Sequence, residues 1–154
     1  MNASLEKLAA KIGLADPGNE AMRLAFGHAC VARIEHLLEE AEVIACWRVL
    51  CDYVDGKVRN ETFVHAQREA DRLANQHRGS KSIDGCGHAA VSASYAAANA
   101  INGRALQAAS YAAYAMVYAG GGYGAVAQRE AFDPEFAWQV DTLRTLAATS
   151  PSQG

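Results

Sequence analysis

The sequence lacks an excess of positive charge. Its 17 Asp and Glu residues outnumber its 14 Lys and Arg residues, and the formal net charge is −3. Proteins that bind nucleic acid concentrate Lys and Arg on one face to meet the phosphate backbone. Here the basic pair Arg68 and Arg72 encloses Glu69 and Asp71, as on the solvated face of an ordinary helix. The composition therefore argues against nucleic acid as a partner.

The sequence also lacks the long hydrophobic run of a signal peptide or a membrane span. Residues 1–12 include Glu6 and Lys7 and have no continuous apolar core, so we expect no export signal. The most apolar stretch, residues 105–124, is rich in alanine and is interrupted by polar residues such as Ser110. Alanine is too weakly hydrophobic to drive insertion, which predicts a buried helix instead. We therefore expect a cytoplasmic protein without a membrane partner.

Paired metal half-sites are missing as well. Asp84, Cys86 and His88 alternate, but zinc needs a second pair of Cys or His ligands elsewhere in the chain. Cys46 and Cys51 are five residues apart, which places their side chains on different sides of a helix. We therefore predict neither a metal site nor a cofactor, and we expect the four cysteines to be thiols in a reducing compartment.

No local motif predicts an enzyme. The glycine run at residues 120–124 follows a helical segment and lacks the Lys-Ser/Thr ending of a phosphate-binding loop. A Cys–His nucleophile pair stays open at this point, because such partners meet in space rather than in sequence. We assign no catalytic residue.

Strand patterns are absent too, and what remains is helical. No segment shows alternating, β-branched residues. Ser4 is a candidate N-cap for an N-terminal helix within residues 1–15, with Gly13 as its end. The sequence Asp133-Pro134-Glu135 favours another helix start, because Asp caps, Pro suits the first helical position and Glu suits the first turn. We predict one all-α domain over residues 1–154, a bundle of six to eight helices with a frayed tail at 149–154.

The segment between these ends shows helical spacing of apolar residues. After a turn at residues 16–19, apolar positions recur every three to four residues as far as Val54, in one interrupted helix or in two. Asn60 is a candidate N-cap for the next helix, whose buried stripe is Phe63, Ala66, Ala70, Leu73 and Ala74. Residues 77–82 are predicted to form a loop.

Alanine dominates the middle of the chain. Residues 89–119 contain fourteen alanines and divide at Asn102-Gly103 into two helical segments. The sequence Ser94-Tyr95-Ala96-Ala97 recurs as Ser110-Tyr111-Ala112-Ala113. Because small side chains let helix axes approach closely, we predict an alanine-faced, close-packed pair of helices at the centre of the bundle.

Two surfaces are candidates for binding. Tyr111, Tyr114 and Tyr118 have the i, i+3, i+7 spacing of one helix face, which is either the rim of the core or an interface. Glu35 and Glu39 belong to an acidic helix face with Glu40 and Glu42, which either keeps that helix in water or steers a basic partner. His88, before the alanine-rich segment, is a third candidate.

Three segments resemble the Imm-5-like family of immunity proteins, small all-helical partners in bacterial toxin systems. The first segment, residues 24–38, includes Cys30-Val31-Ala32-Arg33-Ile34-Glu35. The second, residues 46–58, begins Cys46-Trp47-Arg48-Val49-Leu50, and the third runs from Gly87-His88-Ala89-Ala90 through the alanine–tyrosine repeats to residue 119. The resemblance implies a non-catalytic protein that binds and neutralises a protein toxin. It transfers no partner-contact residue to this chain.

Two alternatives remain open from the sequence. One is an enzyme or small-ligand protein that uses Cys86, His88 or the tyrosine face, for which a buried polar pocket around His88 would be evidence. The other is a self-associating helical module, a homo-oligomer with a mostly apolar two-fold contact.

We predict that all four cysteines are reduced and free of metal, because their spacings lack a second half-site. Native mass spectrometry should show the bare chain mass, and thiol counting after denaturation should find four free groups. A stoichiometric metal would contradict this prediction.

Overall fold

In the computed structural model, the described residues form helices and contain no β-strand. The described residues are 2–76, 86–121 and 123–149, and residues 86, 87 and 123 are described by their backbone alone. The α-helices over this part of the chain are α1 Ala3–Ile12, α2 Glu20–Ala32, α3 Ala41–Val54, α4 Asn60–Asn75, α5 Cys86–Ile101, α6 Ala105–Gly121 and α7 Asp133–Thr149. Short 3₁₀ turns lie at Pro17–Asn19, Glu35–Leu37, Tyr123–Ala127 and Arg129–Phe132. The predicted all-α bundle is confirmed.

The alanine-faced central pair is also confirmed. The helices α5 and α6 run antiparallel on either side of a tight turn in which Gly103 has φ +74°. Their mutual contact is the most extensive in the protein. Fully enclosed alanines line both helices: Ala93, Ala96, Ala100, Ala108, Ala109 and Ala112. With no side chain beyond Cβ, these residues let the two backbones approach closely.

Helix α2 covers the inner side of this pair and crosses α5 at a glycine. A Cβ atom on Gly27 would lie only 3.1 Å from the Cα and Cβ atoms of Ala100. The larger side chains of the core lie around this crossing, and Phe26, Ile34 and Leu50 are entirely buried. The small residues therefore set the distance between the helices, and the large residues of α2 and α3 fill the space around them.

A buried amide network attaches α1 and α7 to the central pair. Gln139 is fully buried, and its Nε2 donates to the carbonyl oxygen of Ala109 on α6 over 2.8 Å. Its Oε1 accepts from Nδ2 of Asn2 over 3.2 Å, and Oδ1 of Asn2 accepts from the backbone N–H of Leu5. Asn2 thus caps α1 and holds its start against α7, which satisfies polar groups that would otherwise be costly to bury.

A second polar contact joins the end of α2 to the start of α7. The Arg33 guanidinium donates through Nε and Nη2 to the Glu135 carboxylate, at 2.7 Å for Nη2 to Oε1. Glu135 is 3% exposed, and the Arg33 guanidinium carbon lies 4.1 Å from the centre of the Trp138 ring. The pairing with Glu135 raises the pKa of Arg33. Because a buried carboxylate needs such a partner, α7 is held in this position.

The structure corrects several local predictions. Ser4 is wrong as the N-cap of α1, because that role belongs to Asn2, although Gly13 ends the helix with φ +68° as predicted. Asn60 is the first helical residue of α4 rather than its N-cap, and its Oδ1 accepts from the Tyr53 hydroxyl. Thr149, placed in the tail, is the last residue of α7.

Other expectations hold or fall outside the described part. The buried stripe of α4 is confirmed for four of its five members, with Ala74 half-buried. No helix among the described residues has the length and hydropathy that a membrane crossing requires. The predicted loop at residues 77–82 and the tail at residues 150–154 lie outside the described residues.

We expect Ala97→Leu and Ala112→Leu each to lower the free energy of unfolding by about 1–3 kcal/mol, because both alanines are buried and extra methylenes overpack the core. Urea titration followed by circular dichroism measures the loss. Ala45→Leu, on the exposed side of α3, is the matched control and should leave the midpoint nearly unchanged. Unchanged midpoints for both buried variants would show that the pair is not closely packed.

Candidate binding surface

The central hairpin carries almost no charge. From residue 86 to residue 121 the only Asp, Glu, Lys or Arg is Arg104, in the turn between the helices, although 20% of the whole chain is charged. The positions of α5 and α6 that are not buried hold Tyr, His, Asn, Gln and Ser together with the apolar residues Val91, Leu106 and Met116. Interface cores are depleted of charged residues and enriched in aromatic ones, so this composition is typical of a contact surface.

Four aromatic side chains form two ring pairs across the hairpin. His88 on α5 stacks on Tyr118 of α6 with ring centroids 5.3 Å apart. Tyr95 on α5 lies against Tyr111 of α6 at 5.2 Å. We call these four residues the aromatic ladder and each pair a rung. Because all four side chains come from the central pair, the distance between the two backbones sets the distance between the rings of each rung.

The rungs follow the register of the two helices. His88 and Tyr95 are seven residues apart on α5, as are Tyr111 and Tyr118 on α6. At 1.5 Å per residue, the rungs are separated by about 10.5 Å along the hairpin. Tyr111 is the most exposed of the four at 38%, and the other three are half-exposed. The rings of the ladder are therefore partly exposed to solvent, and Tyr111 is the most exposed.

Polar contacts close the turn end of the ladder. Arg104 donates from Nε to Oδ1 of Asn99 over 2.7 Å, and from Nη2 to Asp71 of α4 over 2.6 Å. Asn102 and Gln67 also connect this turn to α4, through Nδ2 of Asn102 to the carbonyl oxygen of Gln67. The single charge of the hairpin is thus paired at its edge.

Tyr114 contacts both a tyrosine of its own helix and a second cluster. Its ring lies 6.3 Å from that of Tyr118 and makes an edge contact with Phe132 at 5.2 Å, and Phe132 in turn packs against Phe136. Together with Ala113 and Val117, Tyr114 and the two phenylalanines form a small second cluster under the start of α7. Tyr114 thus lies at the rim of a buried cluster, one of the two alternatives for the predicted tyrosine face, while Tyr111 and Tyr118 contact rings of α5.

Glu35 has a specific role that its acidic neighbours do not share. Its Oε2 accepts from Trp47 Nε1 over 2.7 Å, and the Trp47 indole stacks on the His28 ring at 5.0 Å. Glu35 lies in the 3₁₀ turn between α2 and α3, so this contact fixes the turn against α3. Glu39, by contrast, is exposed just before α3 begins.

Negative charge is concentrated on this side of the chain. Residues 35–55, which we call the acidic edge, contain six acidic residues and one basic residue, Arg48. The six are Glu35, Glu39, Glu40, Glu42, Asp52 and Asp55, all of them exposed. Arg72 of α4 reaches Glu42 at 3.5 Å and also pairs with Glu69, so part of the charge is compensated.

The cysteines near these surfaces are not activated. Burial raises the pKa of Cys51 to about 11, with Glu35 and Asp52 adding to the effect. Burial also raises the pKa of Cys30, as does the nearby Glu135 carboxylate. These thiols stay protonated at neutral pH, and a protonated thiol is a poor nucleophile. A Cys–His pair built on either of them therefore lacks its thiolate.

The sequence predicts no metal site and leaves open a small-ligand pocket around His88. Over the described residues, no group of three His, Cys, Asp or Glu side chains could hold a metal ion. Asp84 and the Cys86 side chain lie outside the described set. Two adjoining clefts of about 490 and 320 Å³ open between α1 and the start of α6, and both are lined by Glu6, Leu106 and Gln107. His88 lines neither of them.

Two features of the site escaped prediction. Tyr95 was not singled out, although the repeated Ser-Tyr-Ala-Ala sequence already aligned it with Tyr111. The near absence of charge from residue 86 to residue 121 is also visible in the sequence. The alanine content of these helices indicates a buried core, and a core lacks charge as well. The contact of His28 with Trp47 left no sequence signal, because it joins two different helices.

We expect the protein to lose stability when the pH falls below about 6.5. Burial holds the pKa of His28 below its ordinary value, while Asp55 and Glu35 oppose this in part. Because the folded state favours the neutral His28 ring, the ring's contribution to stability is complete above its pKa in the unfolded state. That contribution is lost as the pH falls toward the lowered pKa of the folded state. Urea midpoints at pH 7.5 and 5.5 measure the difference.

His28→Gln should remove that part of the pH dependence, because no ring remains to take up a proton. His36→Gln, in the exposed turn before α3, is the matched control and should retain it. An identical pH slope in His28→Gln and in the unmodified protein would contradict the assignment.

Comparison with protein-family models, with curated proteins and with solved structures finds no match to this chain in any of the three. The resemblance to the Imm-5-like family therefore stays a prediction. In the structure, the segments that carry it are α2 with the following turn, most of α3 with the residues that follow it, and the hairpin α5–α6. The aromatic ladder lies on the third segment, whereas the acidic edge only overlaps the first two, with Glu39, Glu40 and Glu42 between them.

Proposed function

We propose that this chain is an immunity-type protein, which binds a protein toxin stoichiometrically through its aromatic ladder and performs no catalysis. The observation that carries the proposal is the pair of helices α5 and α6, which carry no charged residue and present two partly exposed aromatic rungs with Tyr111 the most exposed ring. Tyr side chains are frequent at the centre of protein interfaces, because they contribute large contact areas with few rotatable bonds. The resemblance to immunity proteins supplies the class of partner.

The position of the ladder on the central pair suits it to binding. Its four residues stand on two helices held together by buried alanines, so little backbone entropy is lost when a partner is bound. The surface also carries no charge that would have to be stripped of water on binding. Both properties favour a few strongly contributing anchors, of which Tyr111 is the most exposed.

The acidic edge supports the same function in a different way. Its exposed carboxylates, including Glu39 and Glu40, would attract a basic toxin and orient the encounter. Charges of this kind raise the association rate more than the final affinity. If the same residues only keep this part of the chain in water, their removal should leave the association rate unchanged.

The test is to co-express the chain with the product of the adjacent gene and to measure growth. We expect rescue from a toxic neighbour and a complex of fixed stoichiometry. Tyr95→Ala and Tyr111→Ala should each raise the dissociation constant by about 30-fold, the loss of about 2 kcal/mol that defines an interface anchor. Isothermal titration calorimetry measures this change.

Val64→Ala is the matched control. Val64 is 41% exposed on α4 and is not part of the aromatic ladder, so its truncation should leave the affinity unchanged. Glu39→Gln combined with Glu40→Gln should slow association at low salt without changing dissociation. If the adjacent gene product is harmless and forms no complex with the chain, the proposal is wrong.

A further inference from the structure

We propose that the larger of the two clefts between α1 and the start of α6 binds a free α-amino acid with an aliphatic side chain. Its volume of about 490 Å³ lies within the range of roughly 300–1,000 Å³ that small-molecule sites have in proteins. None of the residues that line it belongs to the aromatic ladder. The site is therefore independent of the proposed function, and each can fail without the other.

Arg23 holds a positive charge in this cleft with half of its guanidinium unused. Its Nη1 donates to the backbone carbonyl oxygens of Leu14 and Asp16, over 2.7 Å in each case. The side chain is half-buried, yet no Asp or Glu of the described residues forms an ion pair with it.

The Nε and Nη2 atoms of Arg23 have no acceptor among the described residues. They are the same two atoms through which Arg33 holds the carboxylate of Glu135. Because this edge of a guanidinium matches the two oxygens of a carboxylate, Arg23 is set up to bind the carboxylate of a ligand.

Asp16 places a negative charge beside this guanidinium. A Cβ atom on Gly13 would clash with Oδ2 of Asp16, so the carboxylate lies against the glycine that ends α1. Within the described part of the chain, this carboxylate caps no helix and forms no ion pair. Since the backbone oxygen of Asp16 accepts from Arg23, the two opposite charges belong to one turn. They adjoin without neutralising each other.

The balance of charge in the cleft favours a ligand that carries both signs. The carboxylates of Asp16 and Glu6 both line the cleft and oppose a simple anion. The charge of Arg23 opposes a simple cation, whereas Arg104, on the far wall, is already paired with Asp71 over 2.6 Å. An α-amino acid has no net charge and offers a carboxylate to Arg23 and an ammonium group to Asp16.

The remaining walls favour an aliphatic side chain. Ala10 and Ala15 are exposed and Leu106 is half-buried where they line the cleft, and the described lining contains no aromatic ring. The adjoining cleft of about 320 Å³ shares Leu106 and extends the space along α6. An aliphatic side chain would gain about 25 cal/mol for each Å² of apolar surface removed from water.

Isothermal titration calorimetry with the full chain and L-leucine tests the proposal. We expect one site per chain and a thermal midpoint that rises with the leucine concentration. Isocaproate keeps the aliphatic body but lacks the ammonium group, and isoamylamine lacks the carboxylate. Each should bind at least about 10-fold more weakly than L-leucine, because each loses a charged hydrogen-bonding group.

Two variants separate the contacts. Asp16→Asn should weaken L-leucine about 10-fold and leave isocaproate unchanged, because isocaproate has no ammonium group for Asp16 to bind. Arg23→Gln should weaken both ligands. Asp52→Asn, at an exposed position of α3 outside the cleft, is the matched control and should bind L-leucine as the unmodified protein does.

If Arg23→Gln unfolds because the turn loses its hydrogen bonds, Asp16→Asn decides the question, since it removes no ion pair of the described residues. The proposal is overturned if millimolar L-leucine gives neither heat of binding nor a shift of the midpoint. Equal binding of the three compounds would also overturn it, as would an unchanged leucine affinity in folded Asp16→Asn. Rescue of growth through the aromatic ladder is unaffected by any of these outcomes.

Discussion

The close approach of α5 and α6 is the contact on which the other features of this protein depend. It exists because alanine occupies almost every position where the two helices meet, so that the backbones pack without intervening side chains. The same close packing extends to α2, where Gly27 lies against Ala100. Since such a core contains little side-chain volume of its own, the large residues of α2 and α3 must surround it, and this sets the layering of the fold.

The outer helices are positioned by polar contacts rather than by hydrophobic area alone. Gln139 ties α7 to a carbonyl of α6 and to Asn2, and Glu135 holds Arg33 at the end of α2. A buried amide or carboxylate accepts few geometries, because any shift leaves it without a partner. These contacts therefore orient α1 and α7, whose apolar faces would tolerate several arrangements.

The aromatic ladder is a consequence of the same core. When alanines face inward on both helices of a hairpin, the larger side chains of those helices stand on the outside. Here these are His88, Tyr95, Tyr111 and Tyr118, and the seven-residue spacing aligns them in two rungs. The proposed function depends on this arrangement, because side chains held on packed helices lose little entropy when a partner binds.

Local signals allowed the helices to be predicted, since capping residues, glycines and the 3.6-residue spacing act within one turn. Gly13, which ends α1, is an example, and the alanine content predicted the central pair. Asp133-Pro134 marks the start of α7 to within one residue, although Asp133 is the first helical residue rather than the cap. The partner of each side chain depends instead on the register between helices that are distant in sequence. Periodicity placed Tyr111, Tyr114 and Tyr118 on one face, but it could not predict the contact of Tyr114 with Phe132 or the buried pair of Glu135 with Arg33. The sequence by itself determined the helices and their apolar faces, whereas tertiary packing decided which faces meet, because contact energies between helices are absent from any single segment.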